Sequence, residues 1–214
     1  MAAPGGPPQP PRACCKIPPW AYASHPENTR WDSYMALKAT IFKADLQIAD
    51  MDRHYYQDHS LTIARHPSET DERMMVRILA FVLNANEALA MGKGLSSDDE
   101  PDLWQKDLTG AIEQWIEIGQ PDEKRLRKAS GRSRRVLVYP YSGNSADIWW
   151  EQNRSALAKL DNLRVVNVSN ETSQALEKLA RRTMQLQCTI QDGEVWITDG
   201  ESTVQVQMRV LQDR

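Results

Sequence analysis

The sequence predicts a mixed α/β protein in which a mixed sheet is flanked by helices and extended by antiparallel strands at both ends. Strand-like and helix-like segments alternate through the middle of the chain, and alternating apolar and polar residues occupy its two ends. The 214 residues, of which 41% are hydrophobic and 26% are charged, suffice for one substantial core. A formal net charge of −3 excludes a general attraction to polyanions, so any such site must be a local patch.

Residues 1–34 differ from the rest because they hold eight of the twelve prolines and show no helix or strand period. We expect this segment to be disordered. Either the proline tract is a polyproline ligand, or Met35 is the working start of the protein, which is the interpretation we favour. Residues 35–214 are then expected to form a single domain. No apolar run has the length of a membrane span, and three unpaired cysteines suit a reducing cytosol, so we expect a cytoplasmic protein without a membrane partner.

The first half of this domain is expected to contain a hairpin, a helix and a strand. Residues 36–50 and 54–66 alternate between apolar and polar side chains, which predicts two antiparallel strands. Residues 66–92 repeat apolar side chains at helical spacing, and Ser68 is the expected capping residue of that helix. A polar stretch leads to the strand Ile112–Ile118. Pro121 is expected to open the next helix, where a missing N–H costs nothing.

The second half of the domain is expected to alternate strands with helices and then to end in antiparallel strands. Residues 134–141 and 163–169 are apolar and β-branched, and each is followed by a segment with helical spacing, which predicts right-handed crossovers and a partly parallel sheet. Residues 184–212 carry Asp-Gly pairs at 192–193 and 199–200 between alternating segments. Such pairs are typical of tight hairpin turns, so the chain is expected to end in a β-meander.

Glu117 stands between Ile116 and Ile118 in an otherwise apolar strand, where the two-residue period places it on the same face as Glu113 and Trp115. On an edge strand its carboxylate would face water. On a central strand the carboxylate needs a cation, a hydrogen-bond network or a metal ion. Acidic residues cluster upstream, and their oxygens are ligands that Mg²⁺ accepts; they are Asp98, Asp99, Glu100 and Asp102.

Cations crowd the chain downstream of Glu117 and create a local positive field suited to a phosphodiester. They are Lys124, Arg125, Arg127, Lys128, Arg132, Arg134 and Arg135. A strand-borne acid, upstream acids and a nearby lysine form the constellation used for metal-dependent phosphodiester cleavage. The plainer interpretation is a solvated helix face beside a solvated acidic loop.

Several long segments together resemble the YaeQ family of bacterial proteins over Met35–Arg214; they are MALKATIFKADLQIADMDRHYY, HPSETDERMMVRILAF, DDEPDLW, WIEIGQPDEKRLRKA, ADIWWEQN and TIQDGEVWI. The resemblance implies a restriction-endonuclease-like fold, a variation on the PD-(D/E)xK nuclease core, in a cytoplasmic protein. It gives Glu117 the place of the (D/E)xK acid. The upstream acid is then Asp99 or Asp102, and Asp99 is preferred because Pro101 would close the turn behind it.

Glu72, on the first helix, resembles an additional acid that some of these nucleases place beside the metal. Gly119 stands where the pattern has lysine, so the ammonium group must come from the following helix, with Lys128 preferred to Lys124. The expected Mg²⁺ ligands are Glu72, Asp99 and Glu117, the expected catalytic residues are Glu117, Asp99 and Lys128, and the expected nucleic-acid contacts are Arg127, Lys124, Arg132 and Arg134.

Three functional hypotheses follow from these residues. The first is a Mg²⁺-dependent nuclease or phosphodiesterase that acts on nucleic acid. The second is a non-catalytic nucleic-acid-binding or transcription-associated regulatory protein that retains the nuclease fold. In the third, Glu117 pairs with a cation of the next helix and has only a structural role. The identity of any protein partner stays open.

Overall fold

The computed structural model describes residues 39–92 and 99–214, so the expectations for residues 1–34 and for Asp98 lie outside the described residues. Within these ranges the chain forms eleven strands and four helices. The first group is β1 (Thr40–Asp50), β2 (Tyr55–Arg65), α1 (Asp71–Asn84), β3 (Leu89–Met91), β4 (Leu103–Lys106), β5 (Ile112–Ile118) and α2 (Glu123–Ser130). The second group is β6 (Ser133–Tyr139), α3 (Asn144–Leu157), β7 (Leu163–Val168), α4 (Asn170–Glu177), β8 (Thr183–Gln191), β9 (Glu194–Thr198), β10 (Thr203–Val206) and β11 (Met208–Gln212).

The strands form two mixed sheets, whereas the sequence suggested one. Sheet 1 has the order β10-β9-β8-β1-β2, and sheet 2 has the order β11-β7-β6-β5-β4-β3. The N-terminal hairpin and the C-terminal meander share sheet 1 because β1 pairs in parallel with β8. Side chains of β1 alternate between buried and exposed, while the second half of β5 is buried on both sides. Sheet 1 therefore keeps one solvated face, whereas the middle of sheet 2 is covered on both faces.

Helix α1 packs against both sheets and contributes eight apolar side chains to their shared core. Its buried residues pack in one cluster with Leu46 of β1 and with Ile116 of β5. A second cluster covers the opposite face of sheet 2, where Trp115 meets Leu126 of α2 and Leu157 of α3. The carboxyl half of β5 is therefore enclosed by helices on both faces. Among the described residues, no helix is both long enough and apolar enough to cross a membrane.

Helix α1 begins two residues later than its expected cap would place it. The Thr70 hydroxyl accepts a hydrogen bond from the Arg73 N–H at 3.1 Å and serves as the N-cap. Ser68 was the expected cap, but its hydroxyl lies 2.6 Å from Nδ1 of His66 instead. Both residues have suitable side chains, so the choice depends on where the backbone enters the helix.

The sequence does not predict strands β3 and β4, and it assigns β11 to the wrong sheet. Strands β3 and β4 lie within segments for which the sequence predicts the end of a helix and a polar connection, and they extend sheet 2 beyond β5. Strand β11 leaves the meander and pairs antiparallel with β7 in sheet 2. The hairpin between β8 and β9 does follow the prediction, because Asp192 and Gly193 both adopt the positive φ that an Asp-Gly turn requires.

The capping assignment can be tested with two alanine substitutions. Thr70→Ala is expected to lower the free energy of unfolding by about 1 kcal/mol, because the helix loses its cap. Ser68→Ala is the matched control and is expected to change that free energy by less than about 0.5 kcal/mol. Urea unfolding of the full chain measures both values, and equal losses in the two variants would contradict the assignment.

Candidate functional site

Glu117 is buried in the middle of sheet 2. Its strand lies between β4 and β6, and the residue is only 3% exposed. The Oε1 atom accepts hydrogen bonds from Trp115 Nε1 at 2.7 Å and from Arg125 Nε at 2.8 Å. The edge-strand interpretation is therefore excluded, and the compensation of the buried carboxylate comes from a cation and an indole N–H.

Helix α2 directs Arg125 toward Glu117. Asp122 caps the helix by accepting from the Arg125 N–H at 2.7 Å, so the helix begins after Pro121 rather than at Pro121 as the sequence suggested. The Arg125 guanidinium also donates to the backbone carbonyl of Glu100 at 2.9 Å. One arginine of the basic segment thus turns inward and joins α2 to β5 and to the segment before β4.

Burial raises the pKa of the Glu117 carboxyl above its ordinary value. The hydrogen bond from Arg125 lowers it, and the nearby negative charge of Asp102 raises it further. Because the net direction is upward, the folded state holds the neutral form of Glu117 more readily than the unfolded chain does. Ionised Glu117 is therefore a cost to folding at neutral pH, which its two hydrogen bonds reduce but do not cancel.

Asp102 is the second buried acid of the site and is 1% exposed. Both of its oxygens accept from Nη2 of Arg73 at 2.8 Å, and Oδ2 also accepts from the Ile118 N–H at 2.8 Å. Arg73 and Arg77 each donate to Glu69 at 3.0 Å. We call this set the acid–arginine network, and its members are Glu69, Arg73, Arg77, Asp102, Glu117 and Arg125.

Asp99 and Lys128, the preferred upstream acid and the preferred lysine, form an ion pair with each other. The Asp99 side chain is 75% exposed and that of Lys128 is 39% exposed. The hydrogen bond from Lys128 holds the pKa of Asp99 below its ordinary value. The acid whose charge acts on Glu117 from nearby is Asp102, the literal Asp of Pro101-Asp102.

Glu72 faces α4. Its Oε1 atom accepts a hydrogen bond from the Ser173 hydroxyl at 2.6 Å. Its charge also acts on Tyr141, whose pKa burial raises to about 12. The three predicted magnesium ligands thus have three different partners. Glu72 contacts Ser173 of α4, Asp99 pairs with the partly exposed Lys128 of α2, and Glu117 pairs with the inward-facing Arg125 of α2.

The structure does not bring the three predicted magnesium ligands, Glu72, Asp99 and Glu117, into one group. In residues 39–92 and 99–214, no three Asp, Glu, His or Cys side chains are grouped to hold a metal ion. Mg²⁺ needs a near-octahedral shell of oxygen atoms. Here both oxygens of Asp102 and one oxygen of Glu117 already accept hydrogen bonds from N–H donors. A metal ion bound here would compete with the guanidinium groups that neutralise these carboxylates.

The predicted nucleic-acid contacts are exposed on α2, on the turn that follows it and at the start of β6. The side chains of Arg127 and Arg134 are 69% and 73% exposed, and they pair with Glu123 and Glu113 at the surface. Arg132 lies 4.0 Å from the Asp99 carboxylate, and Lys124 is also exposed. Surface pairs of this kind contribute little and exchange readily with other anions.

The cations of the network were not singled out from the sequence. The sequence of α1 does indicate a buried arginine. Arg73 and Arg77 stand four residues apart, and Arg77 lies inside a continuous apolar run. A buried guanidinium needs a carboxylate partner, and Glu69 precedes these arginines at helical spacing. Arg125 carried no such signal, since six other cations surround it in the sequence.

The fold and site define a mixed α/β protein whose two sheets share a helix and whose central strand carries an arginine-neutralised acid pair. A family model described as YaeQ protein matches residues 35–208, so the chain belongs to the YaeQ family. It is 45% identical over 178 residues to the YaeQ protein of Escherichia coli K12, covering 83% of this chain and 98% of that one. It is 44% identical to the YaeQ protein of Salmonella typhi over the same length, with the same coverage.

Two crystal structures of YaeQ proteins have a similar fold. The protein from Xanthomonas axonopodis pv. citri superposes with a TM-score of 0.79 and is 49% identical, over 82% of this chain and 99% of that chain. The protein from Pseudomonas syringae also gives a TM-score of 0.79 and is 38% identical, over 82% of this chain and 97% of that chain.

The role of Arg125 can be tested by removing its charge. Arg125→Met is expected to lower the free energy of unfolding at pH 7 by about 3–5 kcal/mol, because a buried carboxylate loses its cation. The pKa of Glu117, already raised, rises further in this variant. The variant is most stable when Glu117 is protonated, and this stability is lost as pH rises through the pKa of Glu117. The loss of unfolding free energy relative to the native chain is therefore expected to be smaller at pH 5 than at pH 7.

Urea unfolding of the full chain at pH 7 and pH 5 measures this deficit. Arg127→Met, on the exposed side of the same helix, is the matched control and is expected to cost little at either pH. The double variant Glu117→Gln, Arg125→Met should recover part of the loss at pH 7. A deficit of equal size at both pH values would contradict the assignment of the ion pair.

Proposed function

We propose that the protein is a non-catalytic nucleic-acid-binding member of its family, built on the restriction-endonuclease-like core that the sequence resemblance implies. The observation that carries this proposal is the pairing of both central carboxylates with arginine. Arg73 neutralises Asp102, and Arg125 neutralises Glu117. Asp102 and Glu117 lie near each other, as two acids of a nuclease would. Their carboxylates, however, form the ion pairs that attach α1 and α2 to β5.

The lysine position of the nuclease pattern supports the same proposal. Gly119 follows β5 with a φ of +92°, and its N–H donates to the Tyr139 carbonyl at 3.0 Å. Lysine in this left-handed conformation would be strained, so the backbone itself favours glycine there. The alternative ammonium group of Lys128 is engaged with Asp99 at the surface. Without an open acid pair and a neighbouring lysine, phosphodiester cleavage lacks its usual groups.

The exposed cations support the binding part of the proposal. Lys124, Arg127, Arg132 and Arg134 are all exposed, and they lie on α2, on the turn after it and at the start of β6. Their acidic partners are surface residues, so a phosphate can replace them at little cost. Inside, three acids of the network face three arginines. This balance removes the repulsion that an open carboxylate pair would exert on a nearby phosphodiester.

Binding is tested by charge reversal. The full chain is expected to bind short DNA or RNA with an affinity that falls steeply as salt rises. The double variant Arg127→Glu, Arg134→Glu should weaken binding about tenfold or more and lower the log–log salt slope by about 2. Arg154→Glu is the matched control, because Arg154 is also helical, 62% exposed and paired with a nearby glutamate. Fluorescence anisotropy measures these affinities, and equal weakening by the control would contradict the proposal.

The absence of cleavage is a separate expected outcome. Labelled single-stranded and double-stranded DNA and RNA should stay intact with the purified full chain in Mg²⁺ or Mn²⁺. Glu117→Gln and Asp102→Asn are prepared in parallel to identify contaminating nuclease, which would act equally in all samples. Cleavage by the native chain that both substitutions abolish would overturn the proposal and support a metal-dependent nuclease instead.

A further inference from the structure

A polar cavity lies on the opposite face of sheet 2 from Glu117. Its volume is about 350 Å³, and residues at the carboxyl end of α1 and on β5, β6 and β7 line it. Seven polar residues line it together with apolar side chains. We call it the arginine pocket, and these residues are Arg53, Asn84, Asn86, Gln114, Arg135, Tyr139 and Arg164.

Strand register explains why these side chains converge. On β6, Arg135 alternates with Leu137 and Tyr139, which belong to the core cluster around α1. Gln114 is the direct partner of Arg135 in the parallel pair of β5 and β6, so both point to the same face. Glu117 lies three positions further along β5 and points to the other face. The arginine pocket is therefore separate from the acid–arginine network.

We propose that the arginine pocket binds a small molecule that carries a phosphate or pyrophosphate group. Three guanidinium groups line one cavity, and no acid lines it with them. Arg53 is paired with Asp50 at 2.6 Å. Arg164 Nε lies 3.7 Å from the Asp213 carboxylate, too far for a good hydrogen bond. Arg135 has no acidic partner among the described residues. Positive charge thus exceeds negative charge at this position of a net-acidic chain.

Two buried polar atoms at the pocket point to an absent partner. Arg164 Nε and Gln114 Oε1 are shielded from solvent and have no hydrogen-bond partner among the described residues. A buried polar atom left without a partner costs free energy, so such atoms in a folded protein call for an explanation. A bound ligand with both acceptor and donor groups, such as a phosphate ester in a hydrogen-bonded water shell, satisfies both of them.

Tyr139 completes the donor set. Its hydroxyl oxygen accepts from Asn84 Nδ2 at 2.8 Å, which leaves its own proton free to donate into the pocket. Burial raises the pKa of Tyr139, while the Asn84 hydrogen bond and the charges of Arg164, Arg135 and Arg53 lower it. All three guanidinium groups therefore act on this hydroxyl. Several N–H donors and one O–H donor around a small cavity match the oxygen-rich surface of a phosphate group.

The size of the cavity limits the ligand. A volume of about 350 Å³ lies at the lower end of the range for small-molecule sites, about 300–1,000 Å³. The cavity therefore suits one small organic phosphate or a pyrophosphate ion and excludes a nucleic-acid duplex. The apolar side chains of the pocket, which include Leu137 and Val166, would pack against a short carbon skeleton.

Isothermal titration calorimetry with inorganic pyrophosphate tests the proposal on the full chain. We expect saturable binding of one ion per chain. Arg135→Gln and Arg164→Gln should each raise the dissociation constant about tenfold or more, since each removes a charge-assisted hydrogen bond. Gln114→Glu should abolish binding, because it adds a carboxylate to the pocket without removing any arginine. Inorganic phosphate and citrate, titrated in parallel, distinguish a phosphate site from a general anion site.

Arg154→Gln is the matched control because it removes an exposed arginine from α3, on the other face of sheet 2, where it pairs with Glu151 at 3.4 Å. It should leave the dissociation constant unchanged. Equal weakening by this control, or equal affinity for citrate, would overturn the proposal in favour of non-specific attraction. Undetectable binding of pyrophosphate at millimolar concentration would also overturn it. Thermal unfolding of each variant verifies that Arg135→Gln and Arg164→Gln remain folded during the titration.

Discussion

The Asp102 carboxylate is the contact on which the rest of the site depends. It accepts from the backbone N–H of Ile118, where β5 ends, and from Arg73 of α1. One side chain therefore joins the central strand of sheet 2 to the helix that packs against both sheets. Burying these charges has a large desolvation cost, which is offset only when every partner is in place. The network thus favours one arrangement of strand and helix over nearby alternatives, because a small shift would leave charges unpaired.

Most elements were predictable because their signals are local. The strand Ile112–Ile118 coincides with β5, and the helical spacing of residues 66–92 corresponds to α1 with β3 after it. The division into two sheets was not predictable, because it depends on the parallel pairing of Lys43–Asp50 with Thr183–Ile190. These two segments lie far apart in the chain, and the alternation of apolar and polar residues in one segment does not indicate which other strand it pairs with. Nor does the short strand β4 stand out, although it turns β5 from an edge strand into a central one.

The site was predictable to the level of its residue types. The sequence identified Glu117 as an acid in need of compensation and offered a cation of the next helix as one solution. Which cation turns inward depends on the rotation of α2, which the Asp122 cap and the buried Leu126 determine. The choice between Asp99 and Asp102 depended in the same way on the path of the backbone before β4. Local patterns contain the candidates, and tertiary packing selects among them.

The parallel pairing of β1 with β8 has a consequence for how the chain is made. Strand β1 occupies an interior position of sheet 1, yet its neighbour β8 is synthesised only after helix α4. Until then one edge of the nascent hairpin keeps its backbone N–H and C=O groups unpaired, which is the condition under which β edges associate with other chains. Completion of the sheet consequently waits until β8 has been synthesised. A ribosome that stalls before residue 183 would present the hairpin as an open edge to chaperones and to other nascent chains.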